Sequence, residues 1–220
     1  MPHGILDVDA VGFDFDHTLG VDHQLERTVA VELAGEERAR AIDVALGAYR
    51  YGARSIDDAM AGAGIDPERF RALVLERAAA FVEPLPGAAR VLAALRERGI
   101  PVAILSNGWS PLQEHKARLV GFDGPVLVSD AIGVRKPAYA AFLRLERALG
   151  VPSARIAYVG DDPVPDMCGA LSAGMRAVWL DAEQRTYPQD IAEPSARIAA
   201  LLEILTLVQG HAQETAKPPA

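Results

Sequence analysis

One alternation limits what this chain of 220 residues can fold into. In residues 1–19 and 83–209, short apolar runs alternate with amphipathic stretches of helical period; residues 20–82 carry helical periodicity alone. Strands separated by helices pair in parallel, through crossovers that lay helices on both faces of a sheet. The expectation is an α/β domain with a strandless, helical stretch inserted into it. Half of the residues are hydrophobic, enough to bury such a core.

Apolar runs at 10–13, 102–105, 126–128, 156–159 and 177–180 read as the strands. Helices are expected at 88–98, 110–119, 137–149 and 166–173, three of them stopped by Gly99, Gly150 and Gly174, with a closing helix over 195–208. The insert reads as about four helices. Gly35 separates 24–33 from 36–51, and Ser55 with Asp58 three residues on resembles a capping box. Asp66-Pro67 opens the fourth, which runs to Phe81 with Phe70, Leu73, Val74 and Arg77 on its stripe. Glu83-Pro84-Leu85-Pro86-Gly87 then breaks the pattern. The fold expected is a Rossmann-like, doubly wound parallel sheet over 1–19 and 83–210. It carries a small all-helical unit over 20–82 and ends in a frayed tail over 211–220.

Chemistry gathers after the strands. Asp14-Phe15-Asp16-His17-Thr18 follows the first, and alternation points Asp14 and Asp16 the same way. Two carboxylates at the end of a buried strand repel each other and resist desolvation. A divalent cation and a phosphoryl group would hold them there. Ser106-Asn107-Gly108 follows the second strand, and Lys136-Pro137 lies beyond the third. Gly160-Asp161-Asp162-Pro163-Val164-Pro165-Asp166 follows the fourth. Ligands of open parallel sheets bind outside the carboxyl ends of the strands, so the four motifs should meet at one edge.

In order and content these motifs resemble the haloacid dehalogenase superfamily, over the whole chain except the tail. The helical insert resembles the small cap that this superfamily places soon after its first motif. The resemblance implies that Asp14 is a nucleophile forming an aspartyl-phosphate. It implies that Asp16 protonates the leaving oxygen and then acts as base on water. Lys136 would neutralise the phosphoryl group and Asp14. Ser106 would donate to a phosphate oxygen, with the backbone N–H groups of Asn107 and Gly108 and with Asn107 as neighbouring support. Mg²⁺ would be held by Asp14, the backbone carbonyl of Asp16, Asp161 and Asp166, with Asp166 either a ligand or one step removed.

Around this set, Thr18 is expected to orient its loop, Asp162 to face solvent and Arg135 to be an exposed loop residue. His17 stands where the superfamily commonly has a small Gly. Pro137 is expected at a helix start, where Lys136 would oppose the macrodipole and call for an anion. Arg40, Tyr49, Arg50, Tyr51 and Arg54 are candidates for contacting an anionic substrate from the insert, and Trp109 reads as rim or core packing.

Composition narrows the partners. The net charge is -8 and the pI about 5.1, so no basic field attracts nucleic acid or an anionic membrane. No uncharged run approaches the ~20 residues that span a bilayer. Met1 to Asp9 lacks the basic start and apolar core of a secretory signal, and Cys168 is the single cysteine, so a cytoplasmic setting is expected. The function expected is Mg²⁺-dependent hydrolysis of a small phosphorylated metabolite. The alternatives are a phosphomutase using the same motifs and a non-catalytic phosphometabolite-binding protein. Dehalogenation is disfavoured by Asp16, because a halide leaves unprotonated. No feature sets an oligomeric state.

Overall fold

The computed structural model describes residues 5–208. The tail expected over 211–220 lies outside the described residues. The strands are β1 (Ala10–Phe13), β2 (Gly20–Val21), β3 (Glu83–Pro84), β4 (Val102–Ser106), β5 (Val126–Val128), β6 (Ile156–Gly160), β7 (Arg176–Leu180) and β8 (Ala196–Ile198). Six of them form one parallel sheet in the order β5-β4-β1-β6-β7-β8. The first motif therefore leaves the middle of the sheet, with the second and fourth on neighbouring strands.

Alternation along each strand divides the core in two. Val11 and Phe13, Ala157 and Val159, and Val178 and Leu180 face one side, with Val91 and Leu95 of α5 (Ala88–Glu97). Ala10, Ile156, Tyr158, Ala177 and Trp179 face the other, with Phe142 and Leu145 of α8 (Tyr139–Leu149). Helices cover both faces, as strands buried on both sides require.

Four helices lie between β2 and β3: α1 (Leu25–Ala34), α2 (Ala39–Arg50), α3 (Ile56–Gly62) and α4 (Pro67–Phe81). A tight turn over Glu36–Arg38 separates the first two. Their starts follow local chemistry. Ser55 accepts from the Asp58 N–H at 3.1 Å, and Asp66 accepts from the Arg69 N–H at 2.7 Å ahead of Pro67. Both caps satisfy N–H groups that a helix start leaves open. Phe70, Val74 and Ala78 form the buried stripe of α4, while Arg77 turns outward to Glu32. In α1–α4, α1 packs on α2 and α4, and α3 on α2 and α4; α4 also meets α6 (Leu112–Leu119) of the sheet layer.

Three expectations need correcting. The closing helix over 195–208 is a strand followed by two short helical turns. Ala196 and Ile198 are buried and Arg197 points out over the Trp179 ring, a period of two. Residues 20–82 are not strandless, because Gly20–Val21 pairs antiparallel with Glu83–Pro84 and ties the two ends of the helical stretch together. The helix expected to begin at Pro137 begins at Tyr139, so Lys136 precedes it by a turn of loop.

Candidate active site

β1 delivers Asp14 to the carboxyl edge of the sheet. The Asp14 N–H donates to Val159 O at 2.8 Å, extending the β1–β6 ladder by one residue and fixing its backbone. The Asp14 side chain is buried and accepts from the Phe15 N–H at 2.7 Å. Lys136 Nζ lies 2.7 Å from Asp14 Oδ1 and 2.7 Å from Asp166 Oδ1, and it donates to Tyr158 Oη at 3.1 Å. The Tyr158 hydroxyl donates in turn to Leu105 O at 3.0 Å. A buried lysine is tolerable only with such partners.

Asp161 completes the cluster. Carboxylate atoms of Asp14, Asp161 and Asp166 all lie within 4.8 Å of one another. Pro163–Cys168 forms a wide helical turn that swings Asp166 back under the end of β6, where it accepts from the Asp162 N–H at 3.1 Å. Gly160 makes room: a Cβ there would sit 2.4 Å from the Asp166 carboxyl. Three hard carboxylates at one point suit a small oxygen-seeking dication such as Mg²⁺. Asp162 is exposed and caps the turn through the Val164 N–H.

Asp14 and Asp166 share the Lys136 ammonium, while the Arg185 guanidinium approaches Asp161 at 3.8 Å, and this arrangement governs their protonation. Burial raises Asp14 well above the ordinary carboxylate range; Lys136 opposes this, and Asp166 reinforces it. Burial, aided by Asp166, pushes Asp161 up to about 6. Burial works against the charge of Lys136, but Asp14 and Asp166 hold it protonated. A metal ion would relieve this excess of buried negative charge.

Ser106 ends β4 with its side chain buried and its hydroxyl without a hydrogen-bond partner among the described residues. Such a group costs stability unless a ligand meets it. The Asn107 side chain is committed elsewhere, donating to Lys136 O at 3.0 Å and accepting from the Lys136 N–H at 2.9 Å. Gly108 N–H donates to Ser129 Oγ at 3.1 Å. Thr18 is buried, its N–H donating to Phe15 O at 3.2 Å. His17 adopts φ +58°, a left-handed conformation that a glycine takes without strain. That backbone explains the preference for Gly noted at this position.

Asp16 is not one of the three clustered carboxylates; it lines a cavity of about 910 Å³ between the sheet edge and helices α1 and α2, and its charge helps to raise Asp14. Lys116 Nζ pairs with its Oδ1, and Gln113 Nε2 donates to its Oδ2 at 2.9 Å. Lys116 also pairs with Asp22 at 2.8 Å. Burial alone would raise Asp16; the charge and hydrogen bond of Lys116, with the Gln113 bond, bring it below the usual carboxylate range.

The cavity also receives Tyr49 and Arg50 from the substrate-contact candidates. Arg40 and Arg54 line a separate groove between α2 and α3, and Tyr51 is exposed. Trp109 is buried, donating through Nε1 to Glu26 at 2.7 Å with the Arg71 guanidinium over its ring. Arg135 is no idle loop residue: it donates to Arg50 O at 2.9 Å, lies over the Tyr49 ring and reaches Ser129.

Sequence reasoning passed over Lys116, Gln113, Asp22, Glu26 and Tyr158. One signal was available. The buried stripe of α6 is Leu112, Gln113, Lys116 and Ala117, so two polar residues sit where the helix turns inward.

Comparison with known proteins bears on the family and the fold. Residues 8–174 match the family described as haloacid dehalogenase-like hydrolase. A phosphoserine phosphatase of Thermus thermophilus is 39% identical over 161 residues, which cover 69% of this chain and 62% of that protein. The alignment thus spans less than two thirds of the relative's length. A solved phosphatase of the same superfamily from Thermococcus onnurineus superposes with a TM-score of 0.69 at 26% identity, covering 91% of this chain and 97% of that one. An L-2-haloacid dehalogenase of Xanthobacter autotrophicus shares the fold, with a TM-score of 0.68 at 20% identity over 91% of this chain and 98% of that one. No helix among the described residues is long and apolar enough to cross a membrane.

Proposed function

This chain belongs to the haloacid dehalogenase-like hydrolases, and we propose that it hydrolyses a small organic phosphate monoester through an aspartyl-phosphate on Asp14. The observation that carries the reading is Lys136 held at 2.7 Å from both Asp14 and Asp166, with Asp161 in the same cluster. Fixed cationic and carboxylate groups of this kind suit a phosphoryl group and one dication.

In the first step an Asp14 carboxylate oxygen bonds to phosphorus. The ester oxygen leaves with the electron pair of the broken P–O bond and takes a proton from the Asp16 carboxyl. In the second, Asp16 accepts a proton from water, the water oxygen bonds to phosphorus, and phosphate departs from Asp14. Lys136 offsets charge on the phosphoryl oxygens and keeps Asp14 and Asp166 in register. The Ser106 hydroxyl, without a partner among the described residues, would donate to a phosphate oxygen. Asp14, Asp161 and Asp166, with the Asp16 carbonyl, would hold Mg²⁺. When bound, the ion neutralises phosphate charge and draws phosphate and nucleophile together.

Lys116 favours ionised Asp16 in the empty site, so Asp16 must gain its proton with the substrate. A phosphate dianion brought alongside works in that direction. The helices α1–α4 act as a cap that closes over the cavity and excludes bulk water. The cavity volume fits a metabolite rather than a folded protein. The name of the Thermus thermophilus relative is in keeping with such a substrate.

The test is phosphate release from a panel of phosphorylated metabolites with Mg²⁺ or EDTA. Mg²⁺-dependent release is the result expected. An isomerised sugar phosphate without net release would replace hydrolysis with mutase chemistry. Halide release from a 2-haloacid without Mg²⁺ would replace it with dehalogenation, and binding without turnover would remove catalysis from the account.

A further inference from the structure

Asp16 is held at both oxygens by one helix. Lys116 Nζ takes Oδ1 and Gln113 Nε2 takes Oδ2 at 2.9 Å, and these residues stand one turn apart on the inward stripe of α6. Both side chains are buried, Lys116 to 1% and Gln113 to 4% exposure. A lysine gives up solvation and rotamer freedom to sit so deep, and the return is a fixed ammonium. Asp22, at the entry to α1, braces that ammonium at 2.8 Å from a second side. Gly108 leaves the space that Gln113 needs, because a Cβ there would lie 2.5 Å from the Gln113 side chain.

We propose that Lys116 and Gln113 are positioning residues that aim the Asp16 carboxyl at the leaving-group oxygen. The proposal rests on the reading in which Asp16 hands a proton to that oxygen. Neither residue touches the phosphoryl group in this scheme; each acts through Asp16. A carboxyl held at both oxygens cannot rotate freely about its terminal bonds, and alignment within a fraction of an ångström governs proton transfer. The consequence is specific. Loss of either clamp residue should slow esters whose leaving oxygen needs a proton and spare those whose leaving oxygen departs as a stable anion.

The experiment is steady-state kinetics on glycerol phosphate, a poor alkoxide leaving group, and p-nitrophenyl phosphate, a good phenolate one. The proteins are the wild type, Lys116→Met, Lys116→Arg, Gln113→Leu and Asp16→Asn, each checked by circular dichroism and thermal melting. Lys116→Met and Gln113→Leu should lose at least tenfold more kcat on the alkyl ester than on the aryl ester, with KM little changed. Lys116→Arg should recover part of that loss. Should Lys116→Met fail to fold, Gln113→Leu carries the same comparison. Equal losses on both esters, or no loss, in a folded Gln113→Leu would overturn the proposal. Asp16→Asn separates this inference from its premise. If Asp16→Asn shows the leaving-group split and the clamp variants do not, only the clamp is wrong. If Asp16→Asn shows no split, the role given to Asp16 falls and the clamp falls with it.

Discussion

Asn107 and Lys136, far apart in the chain, exchange two hydrogen bonds: the Asn107 amide donates to the Lys136 carbonyl at 3.0 Å and accepts from the Lys136 N–H at 2.9 Å. This reciprocal pair fixes the backbone from which the Lys136 ammonium reaches Asp14 and Asp166. Replacing Asn107 with Ala should let that loop drift. The expected result is a fall in kcat of ~10-fold or more, since displacement by about an ångström is enough to spoil alignment. KM should change less, and the fold should survive. Kinetics beside a thermal melt check this; an unchanged kcat would remove Asn107 from the site's supporting frame.

Asp161 supplies a pH dependence. Its carboxyl is raised to about 6 from an ordinary value of 3.8, because burial and the neighbouring Asp166 disfavour its charge. In the metal-free protein its contribution to stability is full below its unfolded value, and it is lost as pH rises through about 6. A dication binds the ionised form and reverses that loss. Mg²⁺ should therefore raise the melting temperature more at pH 8 than at pH 5. An equal shift at both values would contradict a role for Asp161 in holding the ion.

Gly160 is a tight position. A methyl group there would meet the Asp166 carboxyl at 2.4 Å, so Gly160→Ala must push Asp166 aside. Overpacking of this kind costs ~1–3 kcal/mol. The expected outcome is a lower melting temperature together with weaker Mg²⁺ binding in a titration. A stable variant with unchanged metal affinity would show that Asp166 is not needed where it stands.

Arg135 bridges the sheet edge and α2 through Arg50 O and the Tyr49 ring. Arg135→Ala should loosen the cavity roof without touching the nucleophile. KM should rise several-fold with a smaller change in kcat. A fall in kcat alone would place Arg135 in the chemistry instead.

The regular parts of this fold were legible because each has its own local signal. Buried strands read as apolar runs, the Ser55 and Asp66 caps read from single polar residues, and motif order after successive strands pointed to one edge. β8 was missed because three residues, Ala196 to Ile198, are too few to show a period of two against the apolar stretch that follows. The β2–β3 pairing was missed because two-residue strands are defined by their partner across a long loop rather than by their own sequence. Lys136 was legible from its motif after the third strand, but the helix start at Pro137 that was to support its charge begins later, at Tyr139, and its actual anchors are ion pairs and Asn107. Lys116 and Gln113 escaped notice because their role depends on the inward face of α6 meeting a loop far away in the chain.

In the proposed mechanism phosphate passes through the Asp14 carboxylate, and the decisive experiment is to trap that adduct. The folded enzyme is mixed with a hydrolysable phosphate ester and Mg²⁺, quenched in acid within the first turnovers, digested, and the peptide containing Asp14 is weighed with and without hydroxylamine. The expected result is a phosphoryl group on Asp14 that hydroxylamine removes and that Asp14→Asn never acquires. Undiminished phosphate release by a folded Asp14→Asn protein, with no label on that peptide in the wild type, would contradict it.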